Sequence, residues 1–581
     1  MNSKCHQMSN GRQRAGASRC AHADKSPWMW ILVLASWAVI VGSLQRPLFL
    51  MLFGHPSALH RTLLLYFTCW LNFAWLYGVH QLAVVFCSSI TRHVSHRPTR
   101  NVPSRSTVAI LYTTMNDFSH DAALSCVKQT HPGCHVFLLD DSTEKAHKKL
   151  VDAFHAEHPF HTTVIRRPTR IGFKAGNLNY ALEAVGGAYE FFAVCDADGI
   201  LPSDFVSRVL QYFTDDSIGF VQAVQRPLRT IGTTRFACDL DTEVTIYWKR
   251  IVPAAERFGF VMFHGHGGMI RTGVWRKVGG FPQVVAEDLA FSTRASQLGY
   301  KGVIANDVVC YEDFPASYES FAKRHLKYAR GACEHLQKEM WSFLCSPKVR
   351  WFEKADRLLA SIAMVSALPL LLFILDWALL FSGVFGSTSN FGLLAAGGVP
   401  LRASHGARTS MIAFGWAFYL VMAAILLMPL APAVCHLWRH PRSLARYLAD
   451  SVGTHLSLIV DGAWEIIEVA LFGKISFPVT GDRTSGGEFT EYTARVSFPP
   501  DLPTVIRGCV VPIALTLLCD LSILPISLAT MAGVVVRGLG WEHRMARAVI
   551  PLPAVSLLIL VTLGYPGLAS GSLVASVSFP L

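Results

Sequence analysis

Six apolar runs constrain this chain more than any other feature of its sequence. Each is long enough to cross about 30 Å of hydrocarbon as one helix. They span residues 28–44, 63–90, 358–381, 411–434, 509–536 and 548 to about 569. Hydrophobic residues make up 51% of the chain and charged residues only 16%, which is too little charge to cover a soluble surface. The sequence therefore predicts six transmembrane helices.

The positive charge lies beside these runs. The formal net charge is +12, and arginine and lysine cluster at 12–25, 92–105 and 439–446, although three arginines between 537 and 547 would lie on the outer side. This positive-inside pattern predicts a multi-pass protein of the cytoplasmic (inner) membrane, with the lipid bilayer as a partner and with both termini and the large domain in the cytoplasm. Because the charge follows the membrane spans, we expect no nucleic-acid partner.

About 265 residues of ordinary globular composition separate the second and third runs, which is room for one domain. Short apolar runs at 107–113, 134–139, 162–165 and 191–194 alternate with segments of helical spacing such as 179–185. This alternation predicts an α/β domain with a mostly parallel, doubly wound sheet. Ligands of such sheets bind beyond the carboxyl ends of the strands.

A further apolar stretch at 456–472 carries Asp461, Glu465 and Glu468 on one helical stripe. We expect it to lie on the membrane surface with this stripe in water, the alternative being a seventh span. The predicted order is a basic N-terminus (1–27), first helix pair (28–90), α/β domain (103–331), interfacial helix (332–356), second pair (357–434), interfacial helix with a loop (441–500) and third pair (503–581).

Carboxylates follow two of the predicted strands. Asp140 and Asp141 end one strand and could accept hydrogen bonds from a nucleotide base, although acids in turns and helix caps are commoner. Asp196 and Asp198, one residue apart after a hydrophobic strand, could hold a divalent cation together with phosphate oxygens.

Three other groups have both a chemical and a purely structural interpretation. Lys174, close to Gly176, could bind a diphosphate. The pair Glu287 and Asp288 could supply a general base, or could be a charge pair favoured at a helix N-terminus. Arg324, Lys327 and Tyr328 share one helix face, which suits a diphosphate and a stacked sugar or, equally, lipid headgroups.

The order of these groups along the chain is more specific than any one of them. Asp141, Asp198, Asp288 and Arg324 precede a membrane segment in that sequence. The arrangement resembles the processive family 2 glycosyltransferases, such as cellulose, curdlan and hyaluronan synthases, whose motifs are Asp, Asp-x-Asp, an acidic dipeptide and Gln-x-x-Arg-Trp. The resemblance implies a cytoplasmic GT-A (Rossmann-like) domain inserted between transmembrane helices, with interfacial helices beside them.

Two more segments carry the same resemblance. Residues 170–179 look like the donor loop of bacterial glucan synthases, and residues 477–482 look like the gating loop of cellulose synthase. The gating-loop residues would be Phe477, Val479 and Thr480.

The resemblance also implies roles for individual residues. Donor-binding residues would be Thr113, Asp140, Asp141, Lys174, Asn177, Asp196, Arg324 and Lys327. Asp196 and Asp198 would hold Mg²⁺ or Mn²⁺, Asp288 beside Glu287 would be the catalytic base, and Tyr328 would carry the acceptor sugar.

This chain departs from the family pattern at three places. Arg-x-x-Lys-Tyr replaces Gln-x-x-Arg-Trp at 324–328, Met115 stands where a tyrosine would stack on uracil, and Asp482 replaces the gating-loop lysine. Lysine lacks the bidentate fork of arginine, and tyrosine has less stacking area than tryptophan.

The expected reaction is polymerisation of sugar from a UDP-sugar, first of all UDP-glucose, into a β-linked glucan that the same chain moves across the membrane. The partners implied are the UDP-sugar, the growing polysaccharide, the bilayer, and export or periplasmic subunits. Two alternatives stay open at this point: a membrane transferase that adds one sugar to a lipid, and a non-enzymatic transporter or export partner.

Overall fold

The computed structural model describes residues 25–54, 58–91, 106–228, 234–315, 317–381, 428–473, 528, 531–536, 544–553, 555 and 556. The predicted gating-loop residues Phe477, Val479 and Thr480 lie outside these ranges, as do most of the last three apolar runs.

Eight strands of the soluble block form a single sheet. They are β1 (Val108–Thr114), β2 (Cys134–Asp140), β3 (Thr162–Ile165), β4 (Phe191–Asp196), β5 (Gly199–Ile200), β6 (Ile218–Pro227), β7 (Gly268–Arg271) and β8 (Lys301–Glu312). Their order across the sheet is β3-β2-β1-β4-β7-β6-β8-β5. The four predicted strands are confirmed, each to within two residues of its bounds.

One half of the sheet is parallel. Strands β3, β2, β1 and β4 all run the same way, while β7 is antiparallel to both β4 and β6. Strand β6 pairs in parallel with β8, and β5 adds an antiparallel edge. The antiparallel β7 brings the loop before it to the carboxyl end of β4.

Helices cover both faces of the sheet. In chain order the helices of the first two-thirds of the chain are α1 (Trp28–Gly54), α2 (Ala58–Thr91), α3 (His120–Val127), α4 (Lys145–Glu157), α5 (Phe173–Val185), α6 (Phe205–Leu210), α7 (Arg235–Ile246), α8 (Val252–Phe258), α9 (Thr272–Val278), α10 (Glu287–Gln297), α11 (Tyr318–Lys338), α12 (Met340–Cys345), α13 (Trp351–Met364) and α14 (Ala367–Phe381). A π-helical stretch, Tyr247–Ile251, joins α7 to α8. The later helices are α15 (Ala431–Leu437), α16 (Pro441–Leu456), α17 (Ile459–Phe472) and α18 (Arg544–Val549).

The two faces of β1 show why the sheet is buried on both sides. Val108, Ile110 and Tyr112 pack with α3, α4 and α6, while Ala109 and Leu111 pack with α5 and α9. Alternate side chains of a strand point to opposite faces, so an almost wholly apolar strand needs a helical layer on each side.

The helices outside the sheet test the membrane prediction only in part. Among the described residues, one helical stretch, Arg61–Ile90, is long and apolar enough to span a bilayer. Helices α13 and α14 form a second candidate if their 67° bend lies within a single span. The count of six spans therefore stays a prediction.

The segment predicted to lie on the membrane surface forms α17, but its acidic stripe is not all in water. Glu465 is buried and pairs with Arg330 of α11, which corrects that prediction. Gly462 faces Ala367 of α14 and Leu326 of α11, so α17 is wedged between these two helices. Helix α11 itself runs without a break past residue 331, where the α/β domain was predicted to end.

Candidate active site

Three parallel strands bring their carboxyl ends together. Thr114 of β1 is in register with Asp140 of β2, and Thr113 is in register with Asp196 of β4. The predicted acids therefore lie along one edge of the sheet, where α/β folds bind ligands.

Asp196 is held from two sides. Lys174 Nζ lies 2.6 Å from Asp196 Oδ1 and 2.7 Å from Oδ2, and the Thr113 hydroxyl donates to Oδ1 at 2.9 Å. Burial alone would raise the pKa of Asp196, but Lys174 and His266 overcome it and the pKa is lowered. Asp196 is therefore a carboxylate that keeps its charge.

Asp198, unlike Asp196, has a raised pKa. Burial, followed by the charges of Glu312 and Asp196, raises its pKa well above the ordinary value, and Arg324 offsets this only in part. Buried carboxylates that repel one another are stabilised by a cation, and carboxylate oxygen is the ligand that Mg²⁺ and Mn²⁺ prefer. Asp198 and Asp196 thus fit a divalent cation.

Among the residues that the structure describes, no three His, Cys, Asp or Glu side chains converge on one metal position. The two carboxylates would hold a cation jointly with ligands from outside the protein, as the diphosphate of a nucleotide sugar could supply.

The two acids predicted to meet the nucleotide base are paired with arginines. Arg166 Nε donates to Asp140 Oδ2 at 2.6 Å. Arg167 forms a fork with Asp141, Nε to Oδ1 at 2.8 Å and the terminal nitrogen to Oδ2 at 2.6 Å. Arg167 also donates to the Ile171 carbonyl at 2.5 Å, which fixes the start of the predicted donor loop.

The donor loop turns sharply into α5. Gly172 and Phe173 both have left-handed backbone angles, with φ of 74° and 48°. The turn directs Lys174 at Asp196. Asn177 lies deeper, where its side-chain amide donates to the Leu139 carbonyl at 3.3 Å, so this contact is to β2.

The acidic dipeptide begins α10. Both side chains lie in the first turn, and Asp288 Oδ1 accepts from the Leu289 amide at 2.7 Å. Burial and the neighbouring Asp288 raise the pKa of Glu287 to about 7. Burial likewise raises the pKa of Asp288, against the amide of Leu289 and the charges of Lys174 and Lys327.

Helix α11 presents the three predicted residues toward these acids. Arg324 lies 3.0 Å from Glu312, donates from Nε to the Tyr328 hydroxyl at 2.6 Å, and stacks on the Phe314 ring at 4.6 Å. Tyr328 itself is 46% exposed, which leaves its ring open to a ligand. Burial lowers the pKa of Lys327, opposed first by Glu287.

One lysine joins the two sets of acids. Although burial opposes it, Asp196, Glu287 and Asp288 together raise the pKa of Lys174. The residues predicted for the cation and for the base therefore act electrostatically on the same lysine.

Sequence reasoning missed several residues of this site. Asp117 accepts from the Met115 amide and the Thr114 hydroxyl at 2.6 and 2.8 Å, and Glu312 ends β8 beside Asp198. Both follow strands, so the rule that selected Asp140 could have found them. Arg166 and Arg167 follow β3 in the same way.

A small cleft lies elsewhere, between α7, α11 and α16. It shares no residue with the predicted catalytic set.

Part of the chain is similar in sequence to glycosyltransferases. Residues 191–431 match the family model described as glycosyl transferase family group 2. A probable glucomannan 4-beta-mannosyltransferase 7 of Oryza sativa is 26% identical over 227 residues, 38% of each chain. A beta-monoglucosyldiacylglycerol synthase of Synechocystis is 24% identical over 226 residues, 38% of this chain and 46% of that one. The chain thus spans less than half the length of either relative.

A solved structure is also similar in part. The mannosyltransferase PcManGT of Pyrobaculum calidifontis, in complex with GDP-Man and Mn²⁺, aligns with 63% of this chain and 99% of its own at 19% identity and a TM-score of 0.40. Over residues 191–431, which include strands β4 to β8 of the sheet, the chain thus contains a domain that matches glycosyl transferase family group 2.

Proposed function

We propose that this protein is an inverting, processive glycosyltransferase that adds hexose from a UDP-sugar to a β-linked polysaccharide. UDP-glucose is the first candidate for the donor. The observation that carries the proposal is the ion pair of Lys174 with Asp196, at 2.6 Å, on a lysine whose pKa Glu287 and Asp288 also raise. A cation site and a base site in one volume are what a single displacement at a sugar carbon needs.

The chemistry follows from the charges. The Asp288 carboxylate takes the proton of the acceptor hydroxyl, and the hydroxyl oxygen forms a bond to the anomeric carbon. The bond from that carbon to the diphosphate breaks, and its electron pair leaves with the diphosphate. One displacement inverts an α-linked donor to a β-linked product.

Lys174, Lys327 and Arg324 would stabilise the charge of the departing diphosphate, and the low polarity of a buried site strengthens such an effect. A Mg²⁺ or Mn²⁺ ion held by Asp198 and Asp196 would neutralise charge on the diphosphate. Tyr328, with its exposed ring, would stack on the acceptor sugar.

Polymer export is the second part of the proposal. A polysaccharide carries many hydroxyl groups, which are costly to place unpaired in lipid, so its export needs a polar path through a helical bundle. The six apolar runs would supply enough helices for such a bundle in the cytoplasmic membrane, and the catalytic domain would lie on the cytoplasmic side. Glucomannan synthesis by the rice relative supports a β-linked polymer product but favours mannose as much as glucose.

A second candidate is a transferase that adds one sugar to a lipid. The Synechocystis relative is named for a glucosyl lipid, which is the specific observation that favours it. The same acids and lysines would serve, and the acceptor would differ.

The test uses the full-length chain in lipid nanodiscs with Mn²⁺ or Mg²⁺ and a panel of radiolabelled UDP- and GDP-sugars. Polymer with β-linkages supports the proposal, and labelled lipid of one sugar supports the second candidate. Donor hydrolysis or transfer that persists in Asp288→Asn would refute the assignment of the base.

Asp121→Asn is the matched control for Asp288→Asn. Its side chain is 87% exposed and lies on α3, so the same loss of a carboxylate should leave turnover unchanged. We expect Asp288→Asn to bind UDP normally and to lose about 10²-fold or more in rate.

A further inference from the structure

Two histidines alternate with glycines in the segment that leads into β7, which reads His264-Gly265-His266-Gly267-Gly268. Gly265 and Gly267 have φ of 79° and 68°, angles that side chains rarely adopt. Because β7 is antiparallel to β4, with Gly268 opposite Val194, this loop lies at the end of β4 where Asp196 and Asp198 follow.

The backbone of His266 is fixed by buried partners. Its carbonyl accepts from the side-chain amides of Gln222 and Gln225, each at 2.9 Å, and the next amide, Gly267, donates to the Val194 carbonyl at 3.0 Å. Gln222 is fully buried. Because two buried side-chain amides donate to the same carbonyl, the backbone of this loop has little conformational freedom.

The imidazole ring of His266 lies against the turn that contains Asp196 and Asp198. It is 1% exposed and covers Gly199, where an added methyl group would overlap with the ring. Nε2 lies 3.1 Å from the Tyr311 carbonyl, next to Glu312. A carbonyl only accepts, so Nε2 carries the proton and Nδ1 carries a lone pair.

Nδ1 of His266 is buried, and among the residues that the structure describes it has no hydrogen-bond partner. Burial lowers the pKa of His266, against the charges of Glu312 and Asp196, which keeps the ring neutral. A buried acceptor beside two carboxylates lacks a donor, and a carboxylate cannot supply one.

We propose that His266 is a positioning residue of the cation site: its ring supports the Asp196–Asp198 turn through Gly199, and Nδ1 accepts a hydrogen bond from water in the shell of the bound cation. The inference rests on the proposed function, since it assumes that Asp198 and Asp196 hold a cation there. Hydrogen bonds behind a metal's ligands typically change metal affinity by about 10–100-fold.

The test measures Mn²⁺ binding by electron paramagnetic resonance on full-length protein with UDP, alongside thermal unfolding. His266→Asn keeps an acceptor near the position of Nδ1, while His266→Gln keeps a donor to the Tyr311 carbonyl. We expect His266→Gln and His266→Ala to weaken Mn²⁺ binding by about tenfold or more, and His266→Asn to weaken it clearly less. If all three variants bind Mn²⁺ as the wild type does, or if the losses simply follow the unfolding temperature, the inference is wrong.

Two references separate this inference from the proposed function. His131 is also buried with Nε2 against a carbonyl, that of Ser106 at 2.7 Å, so His131→Asn should lower stability without changing Mn²⁺ binding. Asp198→Asn should abolish Mn²⁺ binding. If it does and the His266 variants bind normally, only the inference fails; if Asp198→Asn also binds normally, the cation site itself is wrong.

Gly199→Ala gives an independent check, because its methyl group would press on the ring. We expect Gly199→Ala to weaken Mn²⁺ binding, and the double variant Gly199→Ala/His266→Ala to bind no worse than His266→Ala alone. Additive losses would show that Gly199 and His266 act separately and would overturn the supporting role of the ring.

Discussion

Arg330 of α11 donates a hydrogen bond to Glu465 of α17, and both side chains are almost wholly buried. Removing one member of a buried ion pair leaves the other charge without compensation, at a cost of about 3–5 kcal/mol. We therefore expect Glu465→Ala to lower the thermal unfolding temperature strongly.

The double variant Arg330→Met/Glu465→Leu is the control, because two apolar residues leave no buried charge and should recover most of the stability. An unfolding temperature of Glu465→Ala equal to that of the wild type would contradict the pairing.

Replacement of Lys174 tests the donor site. Lys174→Met removes the cation that holds Asp196, so burial should then raise the pKa of Asp196. One charge-assisted hydrogen bond contributes about 1.5–3 kcal/mol, and we expect the dissociation constant of UDP with Mn²⁺ to rise about 10–100-fold. Lys301→Met is the control, because Lys301 is exposed at the amino end of β8, the end of that strand opposite to Glu312. Unchanged UDP affinity in Lys174→Met would exclude this lysine from the donor site.

The pH dependence of turnover follows from the acidic dipeptide. The pKa of Glu287 is raised to about 7, so the Glu287–Asp288 pair takes up a proton as the pH falls through that value. A protonated base cannot accept the acceptor's proton, so kcat/KM should fall on the acid side of about pH 7 and rise above it. Glu287→Gln removes the like charge beside Asp288 and should move this fall to lower pH. A profile flat between pH 5 and about pH 8 would count against the dipeptide.

Arg324 links Glu312 to the hydroxyl of Tyr328. Arg324→Lys keeps the charge but loses the planar group that makes both contacts and stacks on Phe314. We expect kcat/KM to fall about tenfold, whereas Lys323→Gln on the same helix should have little effect. The measurement is kcat/KM of Arg324→Lys, and a wild-type value would show that turnover does not need the contacts of the arginine.

Gly176 tests the packing of the donor loop. A methyl group there would overlap with the Ile171 carbonyl and lie 2.6 Å from Arg167, the residue that pairs with Asp141. Gly176→Ala should therefore cost about 1–3 kcal/mol of stability and weaken UDP binding. Within the described part of the chain, an added methyl group at Gly273 in α9 meets no atom within 4 Å, so Gly273→Ala should be neutral or stabilising. A denaturant titration of the two variants gives a direct comparison.

Four of the strands and the acids that end two of them could be predicted from the sequence, because both depend on local patterns. The runs that became β1, β2, β3 and β4 are short, apolar and bounded by turns, and this pattern marks buried parallel strands. The placement of Asp196 after β4 follows directly from it.

The pairing of those acids could not be read in the same way. Arg167 contacts Asp141 across 26 positions, and Glu465 contacts Arg330 across 135. Helical periodicity placed Glu465 on a polar stripe, but a stripe does not reveal whether water or an arginine of another helix satisfies it. His266 escaped notice because only the antiparallel course of β7 returns it to the strand that ends in Asp196.

Helix α11 runs unbroken from Tyr318 to Lys338, a rod of about 30 Å at the usual rise per residue. Tyr328 lies near its middle, and Arg330, two residues further along and on nearly the opposite side of the helix, pairs with Glu465 of α17. A tilt of α17 would therefore move α11 and the Tyr328 ring with it, so that movement among the apolar helices would be coupled to the acceptor binding that we propose for this ring.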